Sequence, residues 1–168
     1  QISNKNTPEE KKKELADGLK KNPLNELYTV QDGVEQNKTI KDLQSKANGK
    51  TEFGRSIVVD IINKEVKFNS RLEIGSDIEN EVNFSIPNKQ NFVMIGTSHT
   101  HDHNNGPSSG NPGGNDDVRI LEATQIPGYV LGPQSIYLMY TDSAGKPQFS
   151  ELPSIPENPI RDLLKKIK

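Results

Sequence analysis

All three histidines of the chain, His99, His101 and His103, fall within five consecutive residues, and the segments on either side restrict how they can be presented. Residues 91–95 are apolar and strand-like and run straight into Gly96-Thr97-Ser98-His99-Thr100-His101. Residues 102–115 are dense in Gly, Pro, Asn and Ser and read as a loop. Order then restarts as a helix at Asp116 or Asp117, with Val118, Ile120 and Leu121 inward, until Ile126-Pro127-Gly128. In an extended segment, side chains at i and i+2 share a face about 7 Å apart, so two imidazoles can converge on a cation where the strand end curls. A catalytic zinc takes three protein ligands and keeps one position open. The third ligand is assigned to Asp117, at the start of the helix, and Asp116 to capping that helix or to solvent. His103 already lies in the loop and is expected to face solvent or substrate. The competing reading of the tract is a polar loop with weak affinity for metals.

The remaining pattern is that of an α+β chain, a mixed mostly antiparallel sheet with flanking helices. Thr7-Pro8-Glu9-Glu10 opens a helix that carries Leu15 and Leu19 and stops at Pro23. A short apolar patch follows, then a polar loop through Asn37. A second capping box, Thr39-Ile40-Lys41-Asp42, is expected to open a short helix with Ile40, Leu43 and Ala47 inward. Strands are expected over 56–62 and 65–68 about a turn at Asn63-Lys64, and around Leu72 and Ile74. Val82, Phe84 and Ile86 give a further alternating pattern, and residues 129–131, 135–140 and 148–149 complete the set. A last helix over 158–167 places Ile160, Leu163, Leu164 and Ile167 on one side. Residues 1–37 are expected to be a helical extension or linker, and 38–168 the hydrolase domain.

Composition removes several classes of function. There is no cysteine, so disulfides, thiolate ligands and a cysteine nucleophile are excluded. No segment approaches the 18 apolar residues of a membrane span. The first 50 residues hold ten lysines against eight acidic residues, while the rest holds eleven basic and fifteen acidic residues. That acidic balance around the histidines suits no nucleic acid. Arg161, Lys165, Lys166 and Lys168 form a small basic cluster expected at a solvated helix end. The chain begins with Gln, and a fragment or processed product is expected, lacking a leader or a larger upstream polypeptide.

Residues 95–101 resemble the Gly-x-x-His-Thr-His segment of the JAMM (MPN-type) zinc metallopeptidases, and Asn115-Asp116-Asp117-Val118 is similar to the Asp-containing helix start of that family. The resemblance implies a JAMM/cytidine-deaminase-like fold, a zinc ion on His99, His101 and Asp117, and an upstream glutamate as base, best matched by Glu52. Glu52-Phe53-Gly54 and Tyr129-Val130-Leu131-Gly132-Pro133 further resemble the divergent JAB-like domains of bacterial RHS-type polymorphic toxins. By that likeness the chain would act on a protein or peptide, be opposed by an immunity protein, and leave a bacterial cell as part of a delivery polypeptide. Two departures stand out. Asp102 replaces the family proline, and Gly114 stands at the position of the serine that holds the oxyanion, within a loop longer than usual. Ser108 or Ser109, or a backbone N–H of Gly113 or Gly114, would have to take over, since losing one such donor costs roughly 3–4 kcal/mol.

Glu52 has rivals. It could instead be a surface residue paired with Lys50 or Arg55, and Glu65 and Glu73 are alternative bases. Thr97, Ser98 and Thr100 are candidates to fix a histidine ring from behind, or are plain strand-end polarity in the case of Thr100. Tyr129, Tyr137 and Tyr140 read as core or rim aromatics. Two other functions compete with the hydrolase: a metal-dependent nuclease of the His-Asn-His kind, and a catalytically silent binding module, which Gly114 supports best.

Overall fold

The computed structural model describes residues 14–15, 18, 28–75, 91–108 and 116–167. Of the helix expected after Thr7, Glu14, Leu15 and Gly18 are among these and are helical, and Leu15 packs against the core, while the pattern at Val82, Phe84 and Ile86 lies outside them altogether. The strands are β1 (Thr29–Val30), β2 (Phe53–Asp60), β3 (Glu65–Phe68), β4 (Glu73–Ile74), β5 (Phe92–Thr100), β6 (Gly128–Leu131), β7 (Ile136–Thr141) and β8 (Pro147–Leu152). The helices are α1 (Gly33–Ser45), α2 (Asp117–Thr124) and α3 (Pro159–Leu164). The strands form one mixed, mostly antiparallel sheet in the order β1-β3-β2-β5-β6-β7-β8, with β4 also paired to β2. Among the described strands only β1 with β3 and β5 with β6 run parallel. The β5 to β6 connection is the crossover that carries the histidine loop and α2.

The sheet separates two apolar clusters. Ile57, Val59, Ile95, Tyr129, Leu131 and Leu138 meet Ile40 and Leu43 of α1 and Ile160, Leu163 and Leu164 of α3 in the main core. On the opposite face Leu121 of α2 packs on Val130 and Met139, with Tyr137 beside them. Residues of β6 and β7 are shared between the two clusters in strict alternation, as the pleat demands.

α1 begins six residues earlier than its expected start at Thr39. Asp32 caps it, accepting from the Val34 N–H at 2.8 Å, and Thr39 lies mid-helix with its hydroxyl donating to the Glu35 carbonyl. What holds the polar first turn in place is tertiary. Buried Gln36 donates to the Gln31 carbonyl and to Asn158 Oδ1 and accepts from the Ile160 N–H, while Asn37 donates to the Pro156 carbonyl. Gly33 is required here, since a Cβ would lie 2.4 Å from the Glu157 carbonyl oxygen. The segment read as a polar loop is therefore the face that receives the start of α3. Ile40, Leu43 and Ala47 are buried. Ile120, expected inward on α2, is 44% exposed, because only Leu121 faces the sheet on that short helix.

One irregularity decides which face carries the histidines. Val58 pairs with Met94, but Ile57 pairs with Gly96, so Ile95 is an extra residue in β5. Ile95 and Gly96 both face the main core: Ile95 is fully buried there, and a Cβ on Gly96 would come within 2.9 Å of the Leu163 methyls. After such a bulge the alternation is reset by one residue. Without it His99 would share parity with Val93 and Ile95, in the apolar core. With it, His99 stands opposite Gly54 and Val130 on the α2 face.

Candidate metal centre

β5 runs through Thr100, so His99 lies inside the strand and His101 one residue past its end. Both are buried, and their Nε2 atoms are 3.2 Å apart with the ring centroids at 5.0 Å. Asp117, the first residue of α2, places one carboxylate oxygen 3.0 Å from His99 Nε2 and the other 3.1 Å from His101 Nε2. Asp116 caps the helix, accepting from the Arg119 N–H at 2.8 Å. Glu52, immediately before β2, brings Oε2 to 3.5 Å from His101 Nε2. Glu52, His99 and His101 offer ligand atoms that all lie within 4.8 Å of one another, a cluster able to hold a metal ion.

The chemistry of this donor set calls for a cation. His101 Nδ1 lies 3.1 Å from the Gly106 carbonyl, which can only accept, so the ring hydrogen is on Nδ1 and the neutral ring presents a lone pair at Nε2. That lone pair faces carboxylate oxygens of Asp117 and Glu52 and the second imidazole nitrogen. Acceptors turned on one another are repulsive until a proton or a metal ion sits among them. The titration behaviour reflects this. Burial disfavours a charged His99, yet Asp117 beside it, with Glu52 further off, raises its pKa above the ordinary imidazole value. Burial also opposes ionisation of Asp117, but His99 and the second imidazole beside it hold its carboxyl well below the usual carboxylate range. Asp117 also lies in the first turn of α2, where the helix dipole favours a negative charge.

The groups that orient the centre differ from those expected. Neither Thr97, Ser98 nor Thr100 touches a histidine ring: Ser98 donates to the Arg55 carbonyl, and Thr100 accepts from the Phe53 N–H. His101 is oriented instead by Gly106, whose φ of +79° and contact with the Tyr137 ring exclude a side chain. The Asn105-Gly106 pair is a turn signal in the sequence, but nothing local links it to His101. Ser108 fastens the loop to α2: its N–H donates to Asp117 Oδ2 and its hydroxyl accepts from the Asp117 N–H, both at 3.0 Å. Ser109 and Gly114, expected at the oxyanion position, lie outside the described residues. His103 is exposed, and its Nδ1 accepts from the Asn105 N–H in the loop. Glu65 and Glu73 are ion-paired to Lys67 and Arg71 respectively. Of the tyrosines, Tyr129 is core, its hydroxyl bonded to the Pro159 carbonyl, and Tyr137 flanks the histidine loop through Gly106.

Among the described residues no helix is long and apolar enough to cross a membrane. No protein-family model matches the chain, and no curated protein matches its sequence. The chain is thus an α+β domain with a buried histidine and carboxylate cluster fit to hold a metal ion.

Proposed function

We propose that the chain is a zinc-dependent hydrolase of peptide, isopeptide or related amide bonds, with His99, His101 and Asp117 as metal ligands and Glu52 as general base. The observation that carries this reading is the single carboxylate of Asp117 spanning the Nε2 atoms of both histidines, with a second carboxylate, Glu52, standing slightly further off. Three protein ligands with a fourth position for water are the arrangement of catalytic rather than structural zinc. A zinc ion held there supplies Lewis acidity, which acidifies water and polarises the carbonyl under attack. Glu52 takes the proton of the attacking water and passes it to the leaving nitrogen. The Gly106 carbonyl keeps His101 in the tautomer that offers Nε2, and Ser108 keeps Asp117 turned inward. We assign the oxyanion donor to the stretch from Ser108 to Gly114, Ser109 and Gly114 included. The Ser108 oxygen accepts from Asp117, which leaves its hydroxyl proton to donate.

The likeness to JAB-like toxin domains supports a further assignment, that of a delivered bacterial effector acting on a protein and neutralised by an immunity protein. The purified chain is expected to hold close to one zinc per molecule, and His101→Ala to lose both the metal and amide hydrolysis. Full hydrolysis by metal-free protein would refute the enzyme. Stoichiometric zinc with no turnover on any amide library would leave a silent binding module.

A further inference from the structure

Glu52 immediately precedes β2. The β2–β5 pairing ends with Gly54 opposite His99. At the next position the Phe53 N–H donates to a side chain, Thr100 Oγ1, at 3.0 Å. Thr100 is 1% exposed, and alternation turns its side chain away from the rings of His99 and His101. The carbonyl of Glu52 accepts from the Gly75 N–H at 2.7 Å. Since the Glu52 carbonyl and the Phe53 N–H belong to one peptide plane, that plane is fixed at both ends, by β4 on one side and by Thr100 on the other. A fixed plane holds the Glu52 Cα in place, and from there the carboxylate reaches to 3.5 Å from His101 Nε2. We propose that the Thr100 hydroxyl, through the Phe53 N–H, is a positioning group that aims the Glu52 carboxylate at the metal centre. The inference rests on the reading that Glu52 serves that centre. A threonine rather than valine is needed because an isosteric methyl would leave the Phe53 N–H without an acceptor.

Zinc dissociation constants of the full chain, measured by competition with a chromophoric chelator, test this in a double-mutant cycle. Thr100→Val is expected to weaken zinc by about tenfold, and Thr100→Ser to bind as the unaltered chain does. In a Glu52→Gln background Thr100→Val should have no further effect, because groups acting through one interaction do not add. Equal losses in the two backgrounds, or no loss in either, would overturn the proposal. An unchanged affinity in Glu52→Gln alone would show that Glu52 takes no part in holding the ion and would overturn the proposal, whereas the role of Glu52 as base is read separately, from the loss of amide hydrolysis in the same variant. If Thr100→Val fails to fold, Thr100→Ala and hydrogen exchange carry the test. The Phe53 amide should lose protection in that variant while the Gly54 and His99 amides keep theirs. A Phe53 amide that stays protected overturns the positioning bond.

Discussion

At the scale of single residues, the centre is a set of groups whose proton affinities have been moved against one another. Burial disfavours the charged form of His99, yet Asp117 and Glu52 raise its pKa above the ordinary imidazole value. A histidine whose folded pKa is raised gives stability that is fully present below its unfolded value, about 6.5, and is lost as pH rises through the folded value. Metal-free protein should therefore lose thermal stability as pH rises above that value. Zinc must displace the same proton, so its affinity should climb over the same window. Melting curves with and without zinc from about pH 6 to about pH 8 should diverge as pH rises. A zinc-induced shift that is flat or shrinks with pH would contradict this assignment.

At the scale of elements, two glycines fit β5 into its surroundings. Gly96 lies beside the bulge under the methyls of Leu163, which can yield a little. Gly128 begins β6 against β5, and a Cβ there would meet Thr97 Oγ1 at 2.3 Å and the Thr97 carbonyl oxygen at 2.8 Å. Backbone in a parallel strand pair cannot yield without losing register. Overpacking a core costs typically 1–3 kcal/mol. Gly128→Ala is expected at or above the top of that range and Gly96→Ala near its foot, as read from urea unfolding. The reverse order would mean that β6 can shift along β5 at little cost.

At the scale of the molecule, the centre joins parts that are distant in the chain: the start of β2, the end of β5, the loop to Ser108 and the first turn of α2. An ion bound only by the folded state stabilises it by mass action, about 2.7 kcal/mol when free zinc is a hundredfold above its dissociation constant. Zinc should accordingly raise the melting temperature and slow amide exchange from His101 to Ser108. His99→Ala should abolish both effects. Persistence of the shift in that variant would place the bound zinc elsewhere.

The sequence by itself determined the inventory: α+β architecture, apolar β2, the turn at Asn63-Lys64, the buried face of α3, and the grouping of His99, His101 and Asp117. Each depends on contacts within a few residues, on periodicity, or on a residue type with few other uses. The six-residue error at α1 has the opposite origin, because Gln36 and Asn37 look like loop residues until Asn158, Pro156 and Ile160 supply partners from the far end of the chain. The partners of Gly106, Ser108 and Thr100 were hidden for the same reason, since they are His101, Asp117 and Phe53, and spacing does not encode such pairs. Tertiary structure alone decided which face of the sheet receives the histidines. The extra residue at Ile95 resets the alternation, and a bulge is stable only where a neighbouring strand and the α3 side chains accept two successive residues on one side.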